Sequence, residues 1–164
     1  MNHVPRVLNL IASLALAALP ASALAQPAAP LKAICQGTGV APPEPIGDTG
    51  HAVRVVQYSC YGEGGVTDGT VITGMVIWDV NGQNSVALSA NGVYRKAGGL
   101  AVYEETDAKY SLTLVDGKVT GFAGSSKVVI KAAGGNLAPL AGKTMTDAFH
   151  SIPGGRFVIE RTID

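Results

Sequence analysis

Apolar and polar residues alternate through residues 70–94, in two runs separated by Asn81-Gly82-Gln83-Asn84. Alternation with a period of two is typical of a β-strand with one buried face, because successive side chains point to opposite sides of the sheet. Asn-Gly is a favoured dipeptide for a tight hairpin turn. The pattern therefore predicts an antiparallel hairpin.

Similar runs follow one another along most of the chain, and turn residues such as Asp116-Gly117 separate them. No proline occurs between residues 46 and 138, which agrees with a sheet there because proline is excluded from central strands. The predicted strands cover residues 51–61, 70–80, 85–96, 100–105, 109–115, 118–123, 127–131, 143–150 and 156–162. We therefore predict an all-β fold, an antiparallel meander of seven to nine strands, as a small closed barrel or alternatively a β-sandwich.

The alternation also predicts which face is the core. Its apolar set is Ile72, Val76, Trp78, Val80, Val86, Leu88, Ala90, Tyr94, Tyr110, Leu112, Leu114, Phe122, Val128, Ile130, Met145, Phe149, Phe157 and Ile159. Gly74 and Gly92 fall on the same face. Either these glycines relieve crowding in a filled barrel, or they leave room for an apolar ligand. In the second case, Trp78, Tyr94, Tyr110 and Phe122 would line the cavity.

The chain divides into three predicted segments. Residues 1–25 combine Arg6, an apolar run and an Ala23-Leu24-Ala25 cleavage site, which is typical of a secretory signal peptide. Residues 26–49 contain five prolines and predict an extended, irregular lead-in. Residues 50–164 have a size that suits a single β-barrel domain.

Cys35 and Cys60 are the only cysteines. In an exported protein, two cysteines most simply form one disulfide, which here would attach the lead-in to the first strand. We therefore expect a periplasmic or secreted protein.

Charge and composition argue against several partners. The chain has 12 basic and 12 acidic residues and no basic block of the kind that nucleic acid binding requires. The aromatic residues form no girdles at strand ends, so we do not expect an integral membrane barrel. The sequence leaves the oligomeric state open.

No catalytic, cofactor or metal motif is present. His51 and His150 lack a spacing typical of zinc ligands, so we interpret both as solvated turn residues. Glu104 and Glu105 are adjacent and should point to opposite faces of a strand, so they cannot act as a carboxylate pair. A solvated edge or turn is the favoured interpretation of this acidic cluster.

The function class that remains is a non-enzymatic β-barrel that binds a small apolar ligand or acts as an accessory or scaffold protein. One alternative is an enzyme of the isomerase or cyclase type, which would need an ionisable residue that points into the barrel. Glu105, Asp147 and Glu160 are the nearest candidates, although the alternation favours an outward position for most of them. Another alternative is a protein interaction module that uses an exposed strand edge.

Overall fold

The computed structural model describes residues 31–164, and the predicted signal peptide lies outside this range. Nine strands form one antiparallel sheet. Their bounds are β1 Leu31–Val40, β2 Glu44–Pro45, β3 His51–Glu63, β4 Val71–Asn81, β5 Asn84–Lys96, β6 Gly99–Val115, β7 Lys118–Gly135, β8 Thr144–Ile152 and β9 Arg156–Ile163. Two short 3₁₀ helices, Gly65–Thr67 and Ala138–Leu140, lie in connections.

The sheet closes into a barrel of eight strands because β1 pairs with both β9 and β3. The short strand β2 pairs with β3 outside the ring. The predicted all-β meander and its closure as a barrel are confirmed, and the sandwich alternative is excluded. Among the described residues, no helix is long and apolar enough to cross a membrane.

Strand β1 differs from the irregular lead-in that the prolines predicted. Residues 31–40 contain no proline, and the prolines at 42, 43 and 45 follow the strand. Its inward-facing residues Leu31, Ala33 and Cys35 are buried. Part of the lead-in is therefore a full member of the barrel wall.

The Cys35–Cys60 disulfide is present, and its two residues lie directly opposite each other in the β1–β3 pairing. Strands β3 to β9 pair in chain order, and β1 then pairs with both β9 and β3. We call the β1–β3 pairing the closing seam of the barrel. The disulfide therefore fastens the seam itself.

The two hairpin turns predicted from Asn-Gly and Asp-Gly are confirmed. The two-residue turn Gly82-Gln83 joins β4 to β5, and Gly82 has a φ of 58°. Asp116-Gly117 joins β6 to β7 with φ values of 52° and 74°. Positive φ at both central residues, as in Asp116-Gly117, is the requirement of the type I′ turn, and positive φ at the first central residue alone, as in Gly82-Gln83, is that of the type II′ turn.

The prediction that Val86 and Leu88 face the core is wrong, because they are 58% and 61% exposed. The β4–β5 register shifts between Ile77 and Trp78, so that Leu88 is an extra residue in β5. An extra residue reverses the alternation on one side of it. Ser85 is buried in place of Val86 as a result. Leu114, also predicted to be in the core, is 37% exposed near the β6–β7 turn.

A second bulge lies in β6 at Asp107, where φ is 52° and the pairing with β7 shifts between Thr106 and Lys109. Before the bulge, odd-numbered residues such as Ala101 and Tyr103 are buried. After it, Ala108 is buried. The bulge therefore places Glu105 on the inward face, together with Tyr110 further along the strand.

One end of the barrel is closed and the other is open. The closed end carries the two 3₁₀ helices, where Leu137, Leu140 and Thr70 are fully buried. The open end carries the β4–β5, β6–β7 and β8–β9 turns. The barrel interior is therefore accessible from one end only. We call the half near the open end the upper half and the half near the 3₁₀ helices the lower half.

Candidate functional site

The lower half of the barrel interior is filled by a polar cluster, which we call the polar floor. Its members are Tyr58, Tyr94, Tyr103, Glu105, Asp147 and Arg161. They come from strands β3, β5, β6, β8 and β9, and all of them point inward. Glu105 and Asp147 are two of the three ionisable residues that the enzyme alternative named, whereas the other four had not been predicted as part of a polar site.

Arg161 and Asp147 form a buried ion pair, in which Arg161 Nε donates to Asp147 Oδ1 at 2.6 Å and Nη2 donates to Oδ2. The two residues lie opposite each other in the β8–β9 pairing. Arg161 Nη1 also donates to the Tyr94 hydroxyl, and the guanidinium lies over the Tyr94 ring. Each of the three guanidinium nitrogens thus donates a hydrogen bond within the polar floor.

Glu105 forms the upper part of the polar floor. The Tyr58 hydroxyl donates to Glu105 Oε1 at 2.6 Å, and the Tyr103 hydroxyl lies 2.8 Å from the Tyr58 hydroxyl. Burial raises the pKa of the Glu105 carboxyl, and the hydrogen bond from Tyr58 offsets only part of that effect. Burial and the nearby Glu105 also raise the pKa of both tyrosines, which therefore stay protonated at neutral pH.

The favoured interpretation of Glu105 as a solvated edge or turn residue is thus wrong. The bulge at Asp107 turns its side chain into the barrel. Glu104 points outward, as predicted, and forms an exposed ion pair of 2.9 Å with Lys131. Asp147 points inward, in phase with the predicted core residues Met145 and Phe149, whereas Glu160 is exposed as the alternation favoured.

Above the polar floor lies a cavity of about 320 Å³ that reaches the open end. Its wall is mainly apolar and aromatic: Gly37, Val40, Val56, Val76, Trp78, Tyr110, Leu112, Phe122, Phe149, Gly155, Phe157 and Ile159. Tyr58 and Glu105 form its base, and Arg54 lies in its wall. The volume is at the lower end of the range for pockets that bind small molecules.

The aromatic rings pack against one another around this cavity. Trp78 and Tyr110 meet edge to face, with ring centroids 4.8 Å apart, and Tyr110 contacts Phe122 in the same way at 5.9 Å. Phe122 also packs against Phe149 and Phe157. Such contacts hold the rings in place without filling the space between them.

The six residues that the sequence suggested as a ligand lining occupy two different places. Trp78, Tyr110 and Phe122 lie in the cavity wall. Tyr94 belongs to the polar floor. A Cβ atom on Gly74 or Gly92 would lie within 2.6 Å of the Tyr103 hydroxyl, so these two glycines make room for tyrosines of the floor.

His51 and His150, the two histidines among residues 31–164, lie apart from each other on the barrel surface. His51 Nδ1 lies 2.8 Å from Asp79 Oδ1 on the outside of the barrel, and His150 is exposed. Over residues 31–164, no group of three or more potential metal ligands comes together.

The missed polar floor did leave a signal in the sequence. Asp147 has the same phase as Met145 and Phe149, and Arg161 has the same phase as Phe157 and Ile159. A charged residue in a core position requires a partner of opposite charge. The core phase of Asp147 and Arg161 on the predicted last hairpin is therefore a sequence signal for an ion pair inside the barrel.

No family model, curated protein or solved structure matches this chain. The geometry of the barrel interior is therefore the evidence on function.

Proposed function

We propose that this protein binds a small, largely apolar ligand in the barrel cavity. The observation that carries the proposal is the aromatic-lined cavity of about 320 Å³, which opens at one end above a hydrogen-bonded polar floor. At roughly 30 Å³ for each water-sized group, it has room for on the order of ten non-hydrogen atoms. Ligand pockets share this combination of an apolar wall and a few polar groups.

Trp78 provides a direct test because it is the only tryptophan and lies in the cavity wall. Phenylbutanol is a suitable uncharged probe, since it offers an aromatic ring, a short chain and one hydroxyl. We expect it to change Trp78 fluorescence saturably, with a Kd between about 10 µM and 1 mM.

A cavity-filling variant supplies the control. Val56→Phe adds a ring inside the cavity, whereas Val86→Phe adds the same ring at an exposed position on β5. Calorimetry should show that Val56→Phe weakens phenylbutanol binding at least tenfold and that Val86→Phe leaves it unchanged. Equal binding by all three proteins would contradict the proposal.

A second candidate function, proton-transfer catalysis of the isomerase or cyclase type, is favoured by Glu105. Its carboxyl lies at the base of an apolar cavity and is held by Tyr58. Burial raises the pKa of this carboxyl, which makes its carboxylate a stronger base than a solvated glutamate.

Ring opening of nitrobenzisoxazole tests this chemistry, because the reaction needs only the removal of one proton and releases a coloured phenolate. The wild-type protein should accelerate it above the raised pKa of Glu105, and Glu105→Gln should abolish the acceleration. Glu104→Gln, a change on the adjacent outward residue, should have no effect. No acceleration by the wild-type protein would speak against a basic role for Glu105.

We also propose that the protein works in the periplasm or outside the cell. The Cys35–Cys60 disulfide supports this location, since such bonds persist in oxidising compartments. Cell fractionation with mass spectrometry should find the protein outside the cytoplasm, with Gln26 as its first residue. A cytoplasmic protein with reduced cysteines would contradict the proposal.

A further inference from the structure

Arg54 is an unusual residue in the cavity wall. It lies on β3 in the same inward phase as Val56 and Tyr58, and it pairs across the sheet with Trp78. Its Nε atom is shielded from solvent and has no hydrogen-bond partner among the described residues. Within residues 31–164, its guanidinium also forms no salt bridge.

The other charged groups inside the barrel are all engaged. Arg161 is paired with Asp147 through two hydrogen bonds, and Glu105 accepts a hydrogen bond from Tyr58. A shielded N–H group without a hydrogen-bond partner lowers the stability of the folded protein. Arg54 therefore carries a cost that a partner from outside the chain could offset.

The chemistry of that partner follows from the cavity. The planar guanidinium matches a carboxylate, whose two oxygens can accept two parallel hydrogen bonds. Arg54 is the one basic residue among those that line the cavity, so it balances one negative charge. This favours a carboxylate over a doubly charged phosphate.

The position of Arg54 also sets the orientation of the ligand. It lies four residues from Tyr58 along β3, about 13 Å by strand rise, and Tyr58 marks the base of the cavity. The Glu105 carboxyl at that base would repel a second carboxylate. The anionic group should therefore lie beside Arg54, with the apolar part directed towards the polar floor.

We propose that Arg54 binds the carboxylate of an amphipathic monocarboxylic acid whose apolar part occupies the aromatic-lined cavity. This inference rests on the proposed function, because it names the class of ligand that the cavity takes. It assigns Arg54 as the residue that selects acids over uncharged molecules of the same shape.

Two probes of matched shape separate the inference from the proposed function. Phenylbutyrate carries a carboxylate where phenylbutanol carries a hydroxyl. Titration calorimetry of the wild-type protein should show that phenylbutyrate binds about ten- to a hundredfold more tightly than phenylbutanol, which is the usual effect of a charge-assisted hydrogen bond. This comparison needs no variant and so does not depend on the folding of one.

Variants at Arg54 then locate the effect. Arg54→Met keeps an unbranched side chain without the charge, and it should remove the preference for phenylbutyrate while changing phenylbutanol binding less than about twofold. Arg54→Lys should retain part of the preference for phenylbutyrate, since lysine keeps the positive charge but cannot donate two parallel hydrogen bonds from one planar group. Arg95→Met, which removes one positive charge from the exposed outside of β5, should leave both affinities unchanged.

The outcomes are distinct. If the two probes bind the wild-type protein equally, and Arg54→Met weakens neither, the role of Arg54 is overturned while the proposed function stands. If neither probe binds, both are overturned. If Arg95→Met lowers phenylbutyrate binding as much as Arg54→Met does, the preference comes from overall charge, and the role of Arg54 is again overturned.

Discussion

The inward position of Glu105 makes the stability of this protein depend on pH in an unusual direction. Most carboxyls in folded proteins stabilise the fold in their charged form. Burial raises the pKa of Glu105 in the folded state above its value in the unfolded chain, about 4.3. The folded state then binds this proton more tightly, and the contribution of Glu105 to stability falls as the pH rises through the raised pKa.

We predict that Glu105→Gln removes this loss, because glutamine keeps the shape and carries no charge. Relative to the wild-type protein, its free energy of unfolding should improve as the pH rises from about 4.3, the value in the unfolded chain, towards the raised pKa of Glu105 in the folded state. Denaturant titrations over that range measure the difference. Glu104→Gln, on the adjacent exposed residue, should give no such trend, and a similar trend in both variants would contradict the assignment.

The buried ion pair leads to a prediction of its own. Asp147→Ala leaves the Arg161 guanidinium buried without its carboxylate, which should cost about 3–5 kcal/mol of unfolding free energy. The double change Asp147→Ala with Arg161→Met should cost less, because it removes the unpaired charge as well. Chemical denaturation of both variants measures this, and a double variant less stable than Asp147→Ala would contradict it.

At the scale of single elements, the Cys35–Cys60 disulfide links β1 to β3, the pairing that closes the barrel. Cys35 and Cys60 are 25 residues apart, and a bond that closes such a loop stabilises by about 3.5 kcal/mol in the chain-entropy model. Replacing both cysteines by alanine should lower the free energy of unfolding by about this amount. The same loss should follow reduction of the wild-type disulfide, and an unchanged midpoint under reducing conditions would contradict this.

Elements also show how far sequence reasoning reached. The meander, its turns and the disulfide could be predicted, because alternation, Asn-Gly and Asp-Gly dipeptides and cysteine count are local signals. The bulge at Leu88 could not, since its side chains give no local sign of an extra residue. The bulge at Asp107 falls in the break predicted between residues 100–105 and 109–115, but that break did not fix which face each side of it presents to the core. Each bulge reverses the alternation beyond it, which is why Val86 was assigned to the core and Glu105 to the outside.

The candidate site was accessible to sequence reasoning only in part. The aromatic wall followed from residues of one phase, such as Trp78 and Phe122. The space between them depends on how eight strands close, which no stretch of sequence records. Gly74 shows the difficulty: the sequence left open whether it relieves crowding or makes room for a ligand, and the structure places Tyr58 and Tyr103 against it.

At the scale of the whole molecule, the two halves of the barrel interior differ in structure. The lower half is packed with a hydrogen-bonded polar floor, and the upper half holds an open cavity with rings fixed by mutual contacts. A fixed floor and wall reduce the cost of ordering side chains when a ligand binds. The account of function therefore rests on the cavity that they enclose.

A crystal structure of the protein with phenylbutyrate tests that account most directly. We predict the carboxylate beside Arg54 and the phenyl ring inside the aromatic-lined cavity, on the side of Arg54 that faces the polar floor, with the β-barrel unchanged. A cavity that stays free of the probe at saturating concentration, or a probe bound only on the outside of the barrel, would contradict it.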